Sequence, residues 1–283
     1  MSKNGQTLLE KKRDPFHLVK VIIALIVALV FIFPIVWMLF VSLKPINAVS
    51  TEPLAWFLPP YTLENYIKII SGSDVFLWTW NSFVVGVITT IVTLILTSLA
   101  AFAISKMDFP YRRFIFVFFL AGLMVPGEAM IIPLFEIVGD MNMLDTYGGL
   151  VLPMVATPLG VVILKSFFDG VPDELIESAK IDGCADWRLY WNIVLPLARP
   201  AMAAIGILTF IASWNNFLWP YLAIVSESLY TLPVGIPVFN SAYTDTYVEP
   251  MTVNALASLP VIIAFLIFEK QIIKGVSFSG IKG

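Results

Sequence analysis

Two small groups of polar residues in this chain stand where polar side chains are costly, and they are the first candidates for chemistry. Asn215 and Asn216 sit together between Trp214 and Trp219 in an uncharged stretch. Paired amides donate to and accept from hydroxyl groups, and flat indole faces suit the apolar faces of sugar rings. The competing reading is hydrogen bonding between helices, with Trp219 in an interfacial belt. Glu128 is the second candidate, an acid set between Pro126-Gly127 and Pro133. It is read either as reaching the outer headgroup region or a neighbouring helix, or as a gate or cavity-lining residue. Other chemistries are excluded by arithmetic. His17 and Cys184 are the only histidine and cysteine, so neither an internal disulfide nor a zinc site of Cys and His ligands can form. No Gly-Lys dipeptide occurs, which removes the phosphate-binding GxxxxGK[ST] loop. No compact set of acid, base and metal ligands is present, so the chain does not read as an enzyme or as the holder of a cofactor.

The elements that must position these residues are membrane spans. Hydrophobic residues make up 59% of the 283 residues and charged residues 13%; a soluble domain carries about 25% charged residues. The net charge of −3 offers nothing to nucleic acid. A helix needs about 20 mostly apolar residues to cross a bilayer. Residues 21–43, 75–105, 146–164, 200–226 and 251–268 contain no Asp, Glu, Lys or Arg, and a sixth stretch, 114–138, is broken only by Glu128 and Glu136. These predict an all-α membrane protein of six transmembrane helices in a single domain over residues 1–283. The expected spans are 19–43, 78–105, 112–137, 144–168, 200–225 and 252–272. The first is too long for a signal peptide and lacks a small-residue cleavage site, so it is expected to be retained. Glu128 would lie about 24 Å along span three from its cytoplasmic end, in a helix made irregular by its prolines and glycine.

The basic residues set the orientation. The N-terminus holds Lys3, Lys11, Lys12, Arg13 and Lys20, the second loop Lys106, Arg112 and Arg113, and the fourth Lys165, Lys180, Arg188 and Arg199. Lys270, Lys274 and Lys282 follow the last span, whereas the opposite loops hold only Lys44 and Lys68. Fifteen against two places both termini in the cytoplasm.

The fourth loop, 167–199, is the longest cytoplasmic connection and reads as two short helices. Pro172 with Asp173 and Glu174 suits a helix start, and Gly183 suits the residue just past a helix end. A second helix beginning at Asp186 would set Trp187, Tyr190, Trp191 and Val194 on one apolar stripe. Periodicity alone allows an interfacial hairpin that only connects two spans. The residues carry more. Glu177-Ser178-Ala179, then Gly183, Ile193 and Leu195-Pro196, resemble the EAA loop of permeases in binding-protein-dependent ABC importers. The departure is Ser178 in place of the first alanine. The resemblance implies a coupling helix docked in a groove of a separate ATPase subunit, with Ala179 allowing a tight fit, Glu177 meeting a basic group and Gly183 permitting the turn.

Further segments resemble the carbohydrate-uptake, maltose-type branch of these permeases, and within it the second permease subunit. They are Ser42-Leu43-Lys44-Pro45, Thr62-Leu63-Glu64-Asn65-Tyr66, the run from Trp214 to Pro220, Thr231-Leu232-Pro233-Val234-Gly235, and the tail Lys274-Gly275-Val276 through Gly280-Ile281-Lys282-Gly283. The resemblance implies a type I importer permease in the bacterial inner membrane. Its partners would be a second homologous permease, two ATPase subunits that carry ATP and Mg, and an extracytoplasmic solute-binding protein that the fifth loop faces. A sugar or oligosaccharide would be the cargo. The EAA-like loop fits a peptide, amino-acid or phosphate-ester importer equally well. An ion-coupled secondary transporter is the rival of another class, against which stands the scarcity of ionisable residues inside the spans.

Overall fold

A 26-residue apolar helix in water would have to be buried, but in a bilayer it can keep lipid around it. In the computed structural model, which describes residues 16–46, 53–239 and 247–278, the helix α1 (His17–Ser42) buries nothing before Val41 and Ser42. The N-terminal cations Lys3, Lys11, Lys12 and Arg13 and the tail match at Gly280-Ile281-Lys282-Gly283 lie outside the described residues. The remaining helices follow as α2 (Glu64–Gly72), α3 (Val75–Lys106), α4 (Arg112–Gly122), α5 (Ile131–Asp140), α6 (Tyr147–Val151) and α7 (Pro158–Asp169). Then come α8 (Asp173–Ile181), α9 (Asp186–Leu189), α10 (Leu195–Leu197), α11 (Arg199–Trp214), α12 (Leu218–Ala223), α13 (Leu232–Gly235) and α14 (Val248–Phe278). No strand occurs among the described residues.

The long helix α3 is the centre. Helices α7 and α11 pack on it, α4 lies beyond α7, and α14 and then α1 lie beyond α11. Its inward side carries Asn81, Ser82, Thr89, Thr93, Thr97 and Ser98, each no more than 2% exposed. Lipid tails are as apolar as leucine, so helices in a bilayer associate through close packing and hydrogen bonds rather than by escaping water. Small hydroxylated residues serve both needs. Thr97 and Ser98 return their hydroxyls to the carbonyls of Thr93 and Leu94 at 2.6 and 2.5 Å. Gly160 of α7 lies so near Thr97 that a Cβ there would stand 2.9 Å from the threonine methyl.

The first two spans are single helices close to their expected ranges. The next three are broken. Helix α4 and the segment from Gly127 to Asp140 meet at 97°, because Pro126 cannot supply an N–H to continue the ladder. Glu128 therefore lies in a single 3₁₀ turn beyond a sharp bend, so the distance along one straight helix does not apply. The pair formed by Tyr147–Met154 and Pro158–Asp169 bends by 49° ahead of Pro158, which is preset for a first helical position. Helix α11 stops at Trp214, and Asn215, Asn216 and Phe217 separate it from α12. The asparagines thus lie in a break, not within a continuous helix, because their short amides compete with helical backbone bonds. With α14, the broken spans complete a six-span, all-α fold.

Candidate functional site

The cytoplasmic hairpin is built from α8 outward. Pro172 occupies the N-cap position of α8, and Asp173 and Glu174 fill its first turn, where carboxylates meet the positive end of the helix dipole. The far end closes in a Schellman motif. Gly183 has φ of +76°, its N–H donates to the Lys180 carbonyl at 3.0 Å, and the Cys184 N–H donates to the Ala179 carbonyl at 2.9 Å. Cys184 gains a packing role here, since its side chain rests on the core beneath α8. Only Ile176 and Ala179 of α8 turn inward, joining a core cluster with Phe102, Leu164, Phe168, Leu189, Tyr190 and Val194. Glu177 and Ser178 face outward, beside the exposed Leu175 and the 85% exposed Ile181.

Ala179 lies buried against the core beneath α8, while Leu175, Glu177, Ser178 and Ile181 are exposed on its other side. The expected stripe in the following helix is altered. Tyr190–Val194 forms a π turn, which breaks the 3.6-residue period on which the stripe was read. Tyr190 and Val194 are buried, whereas Trp187 and Trp191 are exposed and meet edge to face at 5.5 Å. Ile193 and Leu195 pack at the rim of the core, and Pro196 sits early in α10, where its missing N–H is least costly.

The hairpin is fastened to α3 by polar bonds. The Tyr190 hydroxyl lies 2.7 Å from that of Ser98. The Lys106 ammonium, on a side chain 5% exposed, donates to the Val171 carbonyl at 2.8 Å and to Asp173 at 2.7 Å. Ser105 and Lys165 both donate to Asp169 at 2.6 Å. Replacing Lys106 with methionine keeps the stem and leaves the Val171 carbonyl without its partner. The expected result is a loss of about 1–3 kcal/mol in thermal stability, read by unfolding in detergent, with a smaller loss for Asp173→Asn because Asp173 is largely solvated.

The same contact sets a pH dependence. The Lys106 hydrogen bond, and then its charge, hold the Asp173 carboxyl below the ordinary value of 3.8. On the opposite side of the membrane the Ser226 hydroxyl and the N–H groups of Ser226 and Val225 lower Asp145 likewise. A lowered carboxyl pKa stabilises the fold above the unfolded value, and the contribution disappears as pH falls through the folded value. Thermal stability should therefore be insensitive to both groups down to about pH 5 and decline below about pH 4. In Lys106→Met the Asp173 share of that decline should vanish.

The polar and aromatic candidates singled out in the sequence occupy different surroundings. Trp214 is 3% exposed and packs beside Phe210 at 5.8 Å, so its ring is covered. Trp219 is 5% exposed and donates its indole N–H to the Gly149 carbonyl at 3.1 Å. Asn216 is half-buried, with its amide 3.3 Å from the Met154 sulfur, while Asn215 is exposed. Glu128 is exposed in its turn. Of these, Asn215 and Glu128 are the exposed polar side chains.

Sequence reasoning did not single out the outer-face network. Asn81, fully buried, donates to the Ser228 and Tyr230 carbonyls at 2.9 Å and accepts the Tyr147 hydroxyl at 2.5 Å. The available signal was a single asparagine inside the uncharged run 75–105. Two segments quoted separately for their resemblance prove to be one unit. Asn65 donates to the Ser42 and Lys44 carbonyls at 3.2 and 2.7 Å, and the Ser42 and Tyr66 hydroxyls lie 2.6 Å apart. The end of α1 is thereby capped from the first external loop. Lys44 is turned inward, donating to the Leu58 carbonyl and lying 4.9 Å from the Tyr61 ring centre.

Comparison with known proteins follows the same outline. Residues 93–278 match the family described as the binding-protein-dependent transport system inner membrane component. The chain is 36% identical over 262 residues to the arabinooligosaccharides transport system permease protein AraQ of Bacillus subtilis (strain 168), covering 92% of this chain and 93% of that one. It is 31% identical to the trehalose/maltose transport system permease protein MalG of Thermococcus litoralis, covering 92% and 95% respectively. Among solved structures, a chain of a bacterial ABC transporter involved in import of the acidic polysaccharide alginate superposes with a TM-score of 0.82. That match has 21% identity and covers 90% of this chain and 95% of the other, so it speaks to the fold.

Proposed function

We propose, from the premise that this chain belongs to the family of binding-protein-dependent transport system inner membrane components, that it is a permease subunit of an ATP-driven importer of sugars or oligosaccharides. As a member of that family it is a multi-pass inner-membrane protein and not itself the ATPase. Its full set of partners would be a second homologous permease, two ATPase subunits holding ATP and Mg, and a loaded solute-binding protein on the outer face. The carbohydrate cargo is carried over from relatives named for arabinooligosaccharides and for trehalose and maltose.

The observation that carries the coupling role is the attachment of α8. A short helix with an outward face of Leu175, Glu177, Ser178 and Ile181 is fixed from beneath by Ile176 and Ala179 and from the side by Lys106. Packed interiors transmit displacement instead of absorbing it. When nucleotide draws the two ATPase subunits together, movement of α8 passes through the Tyr190–Ser98 bond and the shared core to α3, α7 and α11. The spans then reorient together, open outward to receive the sugar, and reset after hydrolysis.

The test is reconstitution of the complete transporter in vesicles with loaded binding protein. ATP hydrolysis stimulated by the binding protein and sugar uptake that requires ATP are the expected results. Uptake that persists without ATP and follows an ion gradient would overturn the reading.

A further inference from the structure

We infer that Asp145 is a positioning residue that ties the outer turn between α5 and α6 to the base of the fifth loop, so that both present one preformed surface to the solute-binding protein. The docking clause rests on the function proposed above; the tie itself rests on the geometry alone.

Asp145 lies in the turn between α5 and α6 with φ of +57°. Its N–H donates to the Ala223 carbonyl at 2.8 Å, at the end of α12. Its carboxylate accepts the N–H groups of Val225 and Ser226 at 3.0 and 2.9 Å and also the Ser226 hydroxyl. Hydrogen bonds to an ionised acceptor are roughly twice as strong as neutral ones, and here three donors converge on one carboxylate.

The stretch that follows is fastened in turn to α3. The Trp78 indole donates to the Glu227 carbonyl at 3.1 Å, Asn81 donates to the Ser228 and Tyr230 carbonyls, and the Leu232 N–H donates to the Ser82 hydroxyl at 2.8 Å. Tyr147 of α6 closes the circuit through its bond to Asn81. Beneath this belt Ala223, Ile224 and Leu232 are buried at 1%, 4% and 1% exposure.

Connections with few such bonds open easily and must be ordered when a partner binds. Here the ordering is already made, so a docking protein does not bear that entropy. Asp145 is only partly buried, and cutting it frees the entrance to the belt while leaving the buried Asn81 bonds in place.

The experiment uses the assembled transporter with Asp145→Ala and Asp145→Asn. Hydrogen exchange is followed over residues 223–232, and ATP hydrolysis is titrated with loaded binding protein. In Asp145→Ala, exchange at Val225 and Ser226 should rise about tenfold or more as their acceptor is lost. The binding-protein concentration at half-maximal stimulation should rise several-fold, with the saturating rate held within about twofold. Asp145→Asn keeps an oxygen acceptor and should recover most of both. If the alanine variant does not assemble, Ser226→Ala removes only the hydroxyl and should move both readings the same way by less. Unmoved exchange overturns the tie. Raised exchange with unmoved half-saturation overturns the docking role. Absence of any stimulation in the wild type overturns the proposed function instead, and with it the docking clause, while the exchange result still decides the tie.

Discussion

Replacing Gly183 with proline is expected to abolish binding-protein-stimulated ATP hydrolysis and ATP-dependent uptake, while the permease still assembles in the membrane. At φ of +76° the glycine stands where proline, fixed near −65°, cannot follow. Proline also removes the N–H that closes the turn on the Lys180 carbonyl. The Schellman motif is then lost, and with it the angle at which α8 leaves its helix end. No atom lies within 4 Å of the position a Cβ would take, so alanine meets only the backbone cost of the left-handed region. That cost is about 1–2 kcal/mol. Asparagine, which visits this region more readily, should cost less than alanine. The expected order of coupled activity is glycine, asparagine, alanine and then proline, measured as stimulated hydrolysis in vesicles. A proline variant with wild-type stimulation would sink the hairpin as the coupling element.

Asn81→Leu is expected to give the largest loss of stability of any conservative-volume change on α3. Asn81 is fully buried and answers three groups: the Ser228 and Tyr230 carbonyls and the Tyr147 hydroxyl. Leucine leaves all three without that partner at part-buried bonds. Each unsatisfied buried group costs about 1–3 kcal/mol, and neighbours do not add fully, so a loss of about 3–5 kcal/mol is expected. Tyr147→Phe removes both the donor and its need for a partner but leaves the Asn81 oxygen unanswered, and should cost about 1 kcal/mol. Thermal unfolding of the two single variants and the double variant measures the coupling. If Asn81→Leu costs no more than Tyr147→Phe, the Asn81 bonds to the fifth loop contribute nothing.

The two variants probe opposite faces of one body. Gly183 shapes the end of α8 in the cytoplasmic hairpin, and Asn81 holds the belt on the outer side. Both sides converge on α3, whose cytoplasmic end carries Ser98 and Lys106 and whose outer end carries Trp78, Asn81 and Ser82. The hairpin and the belt are thus joined through one helix of 32 residues.

How much of this was legible beforehand differs by element. The hairpin was readable because its determinants are local: Pro172 with two acids starts α8, and Gly183 supplies the one positive φ that ends it. The burial of Ala179 was not readable, because periodicity assigns a residue to a face but does not say which body that face meets. The stripe through Trp187 and Trp191 failed for another reason, since a π turn changes the period and leaves no simple mark in composition. In span five, Asn215 and Asn216 announced something unusual, yet only the fold showed a helix break with Trp214 and Trp219 packed away on either side of it.

By itself the sequence determined the solvent, the orientation and the family. Six apolar stretches demand lipid, fifteen of the seventeen cations fall on one side, and the spacing from Glu177 to Pro196 marks the cytoplasmic loop. These follow from local composition and short-range spacing, to which each residue contributes independently of where the chain later folds. The tertiary structure alone decided who satisfies whom: Asn65 on the end of α1, Asn81 on the fifth loop, Asp145 on Ser226, and Lys106 at the root of α8. Those pairings join residues from 21 to 149 positions apart. A buried polar group must find a partner, but its own sequence neighbourhood does not say which one.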